Sequence, residues 1–195
     1  MINDRMIKEL ADGERLIQYS EEKVRRISNS ENILEVFTNF GVPRTVSPGV
    51  DFIREDMGGL GKLSDYLERE CYTDNISSEL LEDKFKVFNR DIVVASYNNC
   101  IIVSRNRKEF IMVDCETLQE CFVNSSIENF FECIFQFNKM VNRILETQPD
   151  LDYYVEGLKE KDLKELETDI INVEGEIGGF WNMVIQGLFE EMEEI

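Results

Sequence analysis

The chain has 195 residues, 43% of them hydrophobic, which is enough for one good core and short for two, so a single domain spanning residues 1–195 is expected. No run approaches the roughly 18 apolar residues of a membrane span, and Asp4, Glu9, Asp12, Glu14, Glu21 and Glu22 interrupt the start, so a membrane protein or a signal peptide is not expected and a cytoplasmic protein is. The formal charge of −19 is segregated: residues 51–83 hold ten acids against three bases and residues 151–195 hold thirteen against three, while the rest is nearly neutral.

The first clear element lies in residues 28–43. Ser28 and Glu31 have the spacing of a capping box, Ile33, Leu34, Phe37 and Phe40 recur at helical intervals, and Gly41 with Pro43 ends the helix. Next comes the first acidic segment. Met57-Gly58-Gly59-Leu60-Gly61-Lys62-Leu63-Ser64 has the look of a phosphate loop, but Asp56 occupies the position of the first required glycine and Leu63 that of the magnesium-binding hydroxyl. A flexible acidic loop is expected instead.

From residue 85 to 123 the pattern changes to short β-branched runs. Ile92 to Ala95, Cys100 to Val103 and Phe110 to Val113 are predicted strands, joined by linkers short enough for antiparallel hairpins. Phe110-Ile111-Met112-Val113 does not alternate, which points to a strand covered on both faces. Ser125 and Glu128 have capping-box spacing before a long amphipathic helix marked by Ile127, Phe130, Phe131, Ile134, Val141, Ile144 and Leu145, with Pro149 beyond its end. In the second acidic segment, Leu158, Leu163, Leu166, Ile170, Ile171 and Val173 alternate with charges. Gly175, Gly178 and Gly179 then break the chain ahead of a closing helix that should bury Trp181, the only tryptophan.

Histidine, the side chain that titrates near neutrality without special tuning, is absent, so neither a serine–histidine nor a cysteine–histidine nucleophile is available. No catalytic residue, metal site or cofactor is assigned. The five cysteines (Cys71, Cys100, Cys115, Cys121, Cys133) form no Cys-x-x-Cys pair and read as reduced core thiols. An acidic hydrolase acting through paired carboxylates is an alternative that 40 acids make untestable from sequence. The acidic surface repels nucleic acid and anionic membranes and attracts a basic protein. Asp51, Glu55, Asp56, Asp65 and Glu68, around the glycines of the first acidic segment, are the expected partner-binding residues.

Phe40-Gly41-Val42-Pro43, the strand pair around Cys100 to Val103 and Phe110 to Asp114, the string Phe122-Val123-Asn124-Ser125-Ser126-Ile127-Glu128-Asn129-Phe130 and the late Phe180-Trp181-Asn182-Met183-Val184-Ile185 occur in the order seen in the SUKH superfamily of bacterial immunity proteins. The chain resembles that superfamily, and its fourth group in particular, over roughly residues 30 to 190. It departs from the pattern at Arg90-Asp91 and Arg105-Asn106-Arg107-Lys108, where members usually carry glycines. The resemblance implies an α+β fold with a mostly antiparallel or mixed central sheet flanked by helices. It also implies a cognate toxin partner, often a basic nuclease, that the protein binds and inhibits. A regulatory or scaffold module of the same fold without a toxin partner is the other alternative.

Overall fold

The computed structural model describes residues 2–11, 15–70, 78–151 and 153–194. Cys71 lies outside them. The fold is α+β, with a central sheet flanked by helices. Six strands run in the order β3 (Thr45–Val46), β4 (Val50–Phe52), β5 (Ile92–Tyr97), β6 (Cys100–Arg105), β7 (Glu109–Asp114) and β8 (Glu120–Asn124), each antiparallel to its neighbour. A small second sheet pairs β1 (Leu16–Ile17) with β2 (Val42–Pro43).

The three strands predicted between residues 92 and 113 form, each longer by a residue or more, and both faces of β7 are covered. One face, with Val50, Phe52, Ile102, Phe110, Met112 and Val123, packs on α6 (Ile127–Thr147) through Phe130, Phe131, Ile134 and Phe137. Phe52 stacks on Phe131 and Phe110 on Phe130, with ring centroids 5.3 and 5.4 Å apart. The other face, with Val93, Ile101, Val103, Ile111 and Val113, packs on Leu63 and Leu67 of α4 (Leu63–Glu70) and Phe88 of α5 (Ser78–Phe88). A register shift between Val93 and Ala95 lets Val94 and Ala95 both reach the α6 side, as a β-bulge does.

The hairpin turns need no glycine because asparagine tolerates the left-handed region. Asn98 (φ 51°) makes the β5–β6 turn, and Asn106 and Arg107 (φ 55° and 58°) make the β6–β7 turn, closed by the Lys108 N–H donating to the Arg105 carbonyl at 3.1 Å.

Both expected capping boxes are corrected by the structure. The early helix, α3 (Glu31–Glu35), starts two residues later than Ser28 allows: Ser30 is the cap position, and the Ser28 hydroxyl accepts from the Ser30 N–H instead. A π-helical turn over Val36–Phe40 continues α3, and Gly41 (φ 90°) ends it where an added Cβ would stand 2.9 Å from the Ile17 carbonyl oxygen. For α6 the cap is Ser126, whose extended backbone lets its hydroxyl accept from the Asn129 N–H at 3.1 Å. Ser125 is one residue too early and serves a different contact.

The glycine-rich stretch is corrected as well. It is not a flexible loop, because Leu60 N–H donates to the Val93 carbonyl, Val93 N–H to the Gly61 carbonyl and Gly59 N–H to the Arg54 carbonyl at 2.8–2.9 Å. Gly59 is packed so tightly that a Cβ would lie 1.7 Å from the Ile53 carbonyl oxygen. Glycine serves there for close approach of backbones. No helix among the described residues is long and apolar enough to cross a membrane.

Candidate functional site

Helix α7 (Glu160–Glu174) ends at Gly175 (φ 86°), and α8 (Gly179–Glu194) follows after a short turn. Gly178 and Gly179 lie against Phe122 and Cys121 of β8 with no room for a side chain: added Cβ atoms would stand 2.4 and 2.5 Å from those residues. This entry aims Phe180, Trp181, Val184, Ile185 and Leu188 into the core, so the expected burial of Trp181 is observed in full. Its indole N–H donates to Asn124 Oδ1 at 3.0 Å, and Asn124 Nδ2 donates to Glu174 at 2.5 Å. Glu174 also accepts from the Ser125 N–H at 3.1 and 3.2 Å. The Asn-Ser-Ser string is thus the clasp that joins α7 and α8 to the sheet, with Asn124 wholly buried and both ends of its amide used.

The other charged groups drawn out of solvent are likewise paired. Arg105 grips the fully buried Asp91 through two nitrogens and reaches Glu120 at 2.6 Å, and Lys84 meets the same Glu120 at 2.6 Å. These carboxylates hold the Arg105 guanidinium firmly protonated, despite its partial burial. Partial burial alone would raise Glu120, but Lys84 and Arg105 outweigh it and hold its carboxyl below the usual range. Asp162, near the start of α7, is met by Arg143 of α6 at 2.9 Å. Among the described residues Cys100, Cys115, Cys121 and Cys133 form no disulfide, and burial pushes the Cys133 thiol up to about 12. Among the described residues no three metal-ligating side chains converge.

The five carboxylates singled out from sequence do not form one patch of equals. Asp51 belongs to β4 and accepts from the Thr45 hydroxyl at 2.5 Å. Glu55 accepts from the Ser20 N–H at 2.5 Å and pairs with Lys23 at 3.3 Å. Its partial burial is outweighed by those partners, so its carboxyl sits below the ordinary value. Asp56 pairs with Arg54 at 2.5 Å. Asp65 and Glu68 stand exposed on the outer face of α4 and make no ion pair among the described residues. Arg69 of the same helix reaches back over Gly58, so a cation lies between α4 and the turn that carries Asp56.

The second acidic segment is different. Glu190, Glu191, Glu193 and Glu194 are all exposed, no ion pair engages them among the described residues, and the last turn of α8 contains no base. Carboxylates there oppose the partial negative charge of a helix C-terminus by about 0.3–1 kcal/mol each. Burial pushes the Tyr97 and Tyr154 phenols up, and the Glu191 carboxylate adds a smaller push to each.

Sequence reasoning missed a basic surface. By the strand registers, the start of β5, the end of β6 and the start of β7 share one end of the sheet. A hollow of about 560 Å³ opens there, lined by Arg26, Asn29, Arg90, Asn106, Arg107 and Lys108. Arg90, Arg107 and Lys108 are exposed and make no ion pair among the described residues; Arg107 donates to Asn29 at 3.1 Å. Holding Arg107 in the left-handed region costs about 1–2 kcal/mol, a strain that glycine would relieve. Its signal in the sequence was the run Arg105-Asn106-Arg107-Lys108 in a near-neutral segment.

No protein-family model, curated protein or solved structure matches the chain.

Proposed function

We propose that the protein is a cytoplasmic binding protein without catalytic activity of its own, an immunity protein of the SUKH kind that docks a basic toxin and neutralises it. The observation that carries this reading is the end of α8, where exposed glutamates are kept against the local helix dipole with no cation beside them. Charges that weaken the free protein are relieved when a basic surface covers them, and the same field speeds encounter. Asp65 and Glu68 on α4 are a second contact of the same kind. Glu55 and Asp56 contribute less, since each already has a cation. A non-catalytic role is supported by the absence of histidine and by the structural pairing of buried Asp91 and Asp162.

The test is co-expression with the toxin domain encoded beside the gene, followed by association rates at low and high salt. Replacing Glu190, Glu191, Glu193 and Glu194 by lysine should slow association about tenfold or more at low salt and flatten its salt dependence, with folding stability unchanged or raised. The pair Asp65→Lys and Glu68→Lys should have a smaller effect of the same sign. If both variants associate at the wild-type rate and still protect cells, the acidic surfaces are not where the toxin binds.

A further inference from the structure

We propose that the basic hollow at the sheet end is a binding site for a small phosphate-bearing anion, with a diphosphate group as the part its cations engage. The cations come from three separate stretches of chain: Arg26 after α2 (Glu21–Val24), Arg90 ahead of β5, and Arg107 with Lys108 in the β6–β7 turn. Chance clustering of neighbours in sequence does not account for them. Their opposing charges are spent or weak. Asp91, the nearest buried carboxylate in sequence, is held by Arg105, and Glu22 touches Arg26 only at 3.3 Å on the exposed side. Arg90 and Arg107 therefore keep guanidinium forks open, and such forks suit phosphate oxygens bidentately.

The turn fixes two of these cations in place. Arg107 occupies a left-handed position (φ 58°) directly after a left-handed Asn106 (φ 55°), as a tight hairpin turn requires, and its guanidinium is steadied by the Asn29 amide. The hollow is large enough for a diphosphate and its immediate substituent.

The size of the ligand follows from charge at longer range. The molecule carries −19 overall, so a polynucleotide running past the cationic cluster meets repulsion wherever it comes within about 8 Å of exposed carboxylates, the range over which salt leaves the field unscreened. A compact anion stays within the positive region.

The experiment is calorimetric titration of the full chain with inorganic pyrophosphate, with sulfate and a single-stranded oligonucleotide as further arms, and unfolding temperatures for every variant. Pyrophosphate should bind with a dissociation constant below about 1 mM and more tightly than sulfate. Arg90→Gln and Arg107→Gly should each weaken binding about tenfold or more. Arg107→Gly relieves the turn, so its unfolding temperature should not fall and its loss of binding cannot be loss of fold. Arg15→Gln, outside the hollow, should bind as wild type. No heat with pyrophosphate at about 1 mM overturns the proposal. So does wild-type affinity in Arg107→Gly, equal affinity for sulfate, or tighter binding of the oligonucleotide at the same residues.

Discussion

The two acidic segments look alike in composition and differ in what the fold does with them. In residues 51–83 the carboxylates near the glycines have partners: Glu55 ties the turn to Ser20 and Lys23, Asp56 takes Arg54, and Asp51 takes Thr45. In residues 151–195 one carboxylate, Glu174, is invested in the Asn124 clasp, while the end of α8 leaves its glutamates in solvent. Net charge along a sequence therefore does not measure the charge a partner meets. What counts is whether a donor from elsewhere in the chain has claimed each carboxylate.

Four measurements would break or sharpen that contrast. The largest effect is expected at the anchor of the second segment. Trp181→Ala removes a wholly buried indole and leaves Asn124 Oδ1 without its donor, and should cost about 3–5 kcal/mol in denaturant unfolding. Tryptophan fluorescence of the native chain should be blue-shifted and resist iodide, and a red, freely quenched emission would overturn the placement of α8.

The first segment should respond to its own packing site. Gly59→Ala drives a methyl into the Ile53 carbonyl and should destabilise by about 1–3 kcal/mol. Were this stretch a flexible loop, the same substitution would instead be neutral or stabilising by about 0.4–1 kcal/mol, so the sign of the change decides.

A smaller effect separates the two serines that join β8 to α6. Ser126→Ala removes the helix cap and should cost about 0.5–2 kcal/mol. Ser125→Ala keeps the backbone N–H that donates to Glu174, loses only the Asn129 contact, and should cost less. Equal costs would return the cap to Ser125.

The smallest effect is in pH dependence. Glu55 has its folded carboxyl below the ordinary value, so its contribution to stability is present above the unfolded value of about 4.3 and is lost as pH falls through the lower folded one. Glu55→Gln should therefore flatten the fall of the unfolding temperature on acidification below about pH 5 and leave Asp114 and Glu120, whose carboxyls also sit below the ordinary value, to set what remains. An unchanged acid limb would mean that Ser20 and Lys23 do not hold Glu55 charged.

Much of the architecture was legible because it is written locally. Ile92–Ala95, Cys100–Val103 and Phe110–Val113 announce strands through their own side chains, and Phe180, Trp181, Val184, Ile185 and Leu188 announce a buried helix face. Caps were legible only to within a residue or two, since Ser125 and Ser126 have the same side chain and backbone direction alone chooses between them. The glycines at 58, 59 and 61 were read as mobility, whereas a close approach to Ile53 and Val93, from other parts of the chain, is why they are there. The candidate surfaces were harder for the same reason. Lys23 meets Glu55, Lys84 meets Glu120, and Arg26 joins Arg90 and Arg107 only after the chain has folded. A run of letters holds no trace of those meetings.

One border of the six-stranded sheet has a consequence for any protein that approaches it. There β3 is only two residues long, with Pro43 before it and Pro48 after it. A short, proline-flanked border offers few free amides and is a poor template for a visiting strand. Continuation of the sheet by a partner is disfavoured at that border, as is the edge-to-edge pairing by which β-proteins form fibres.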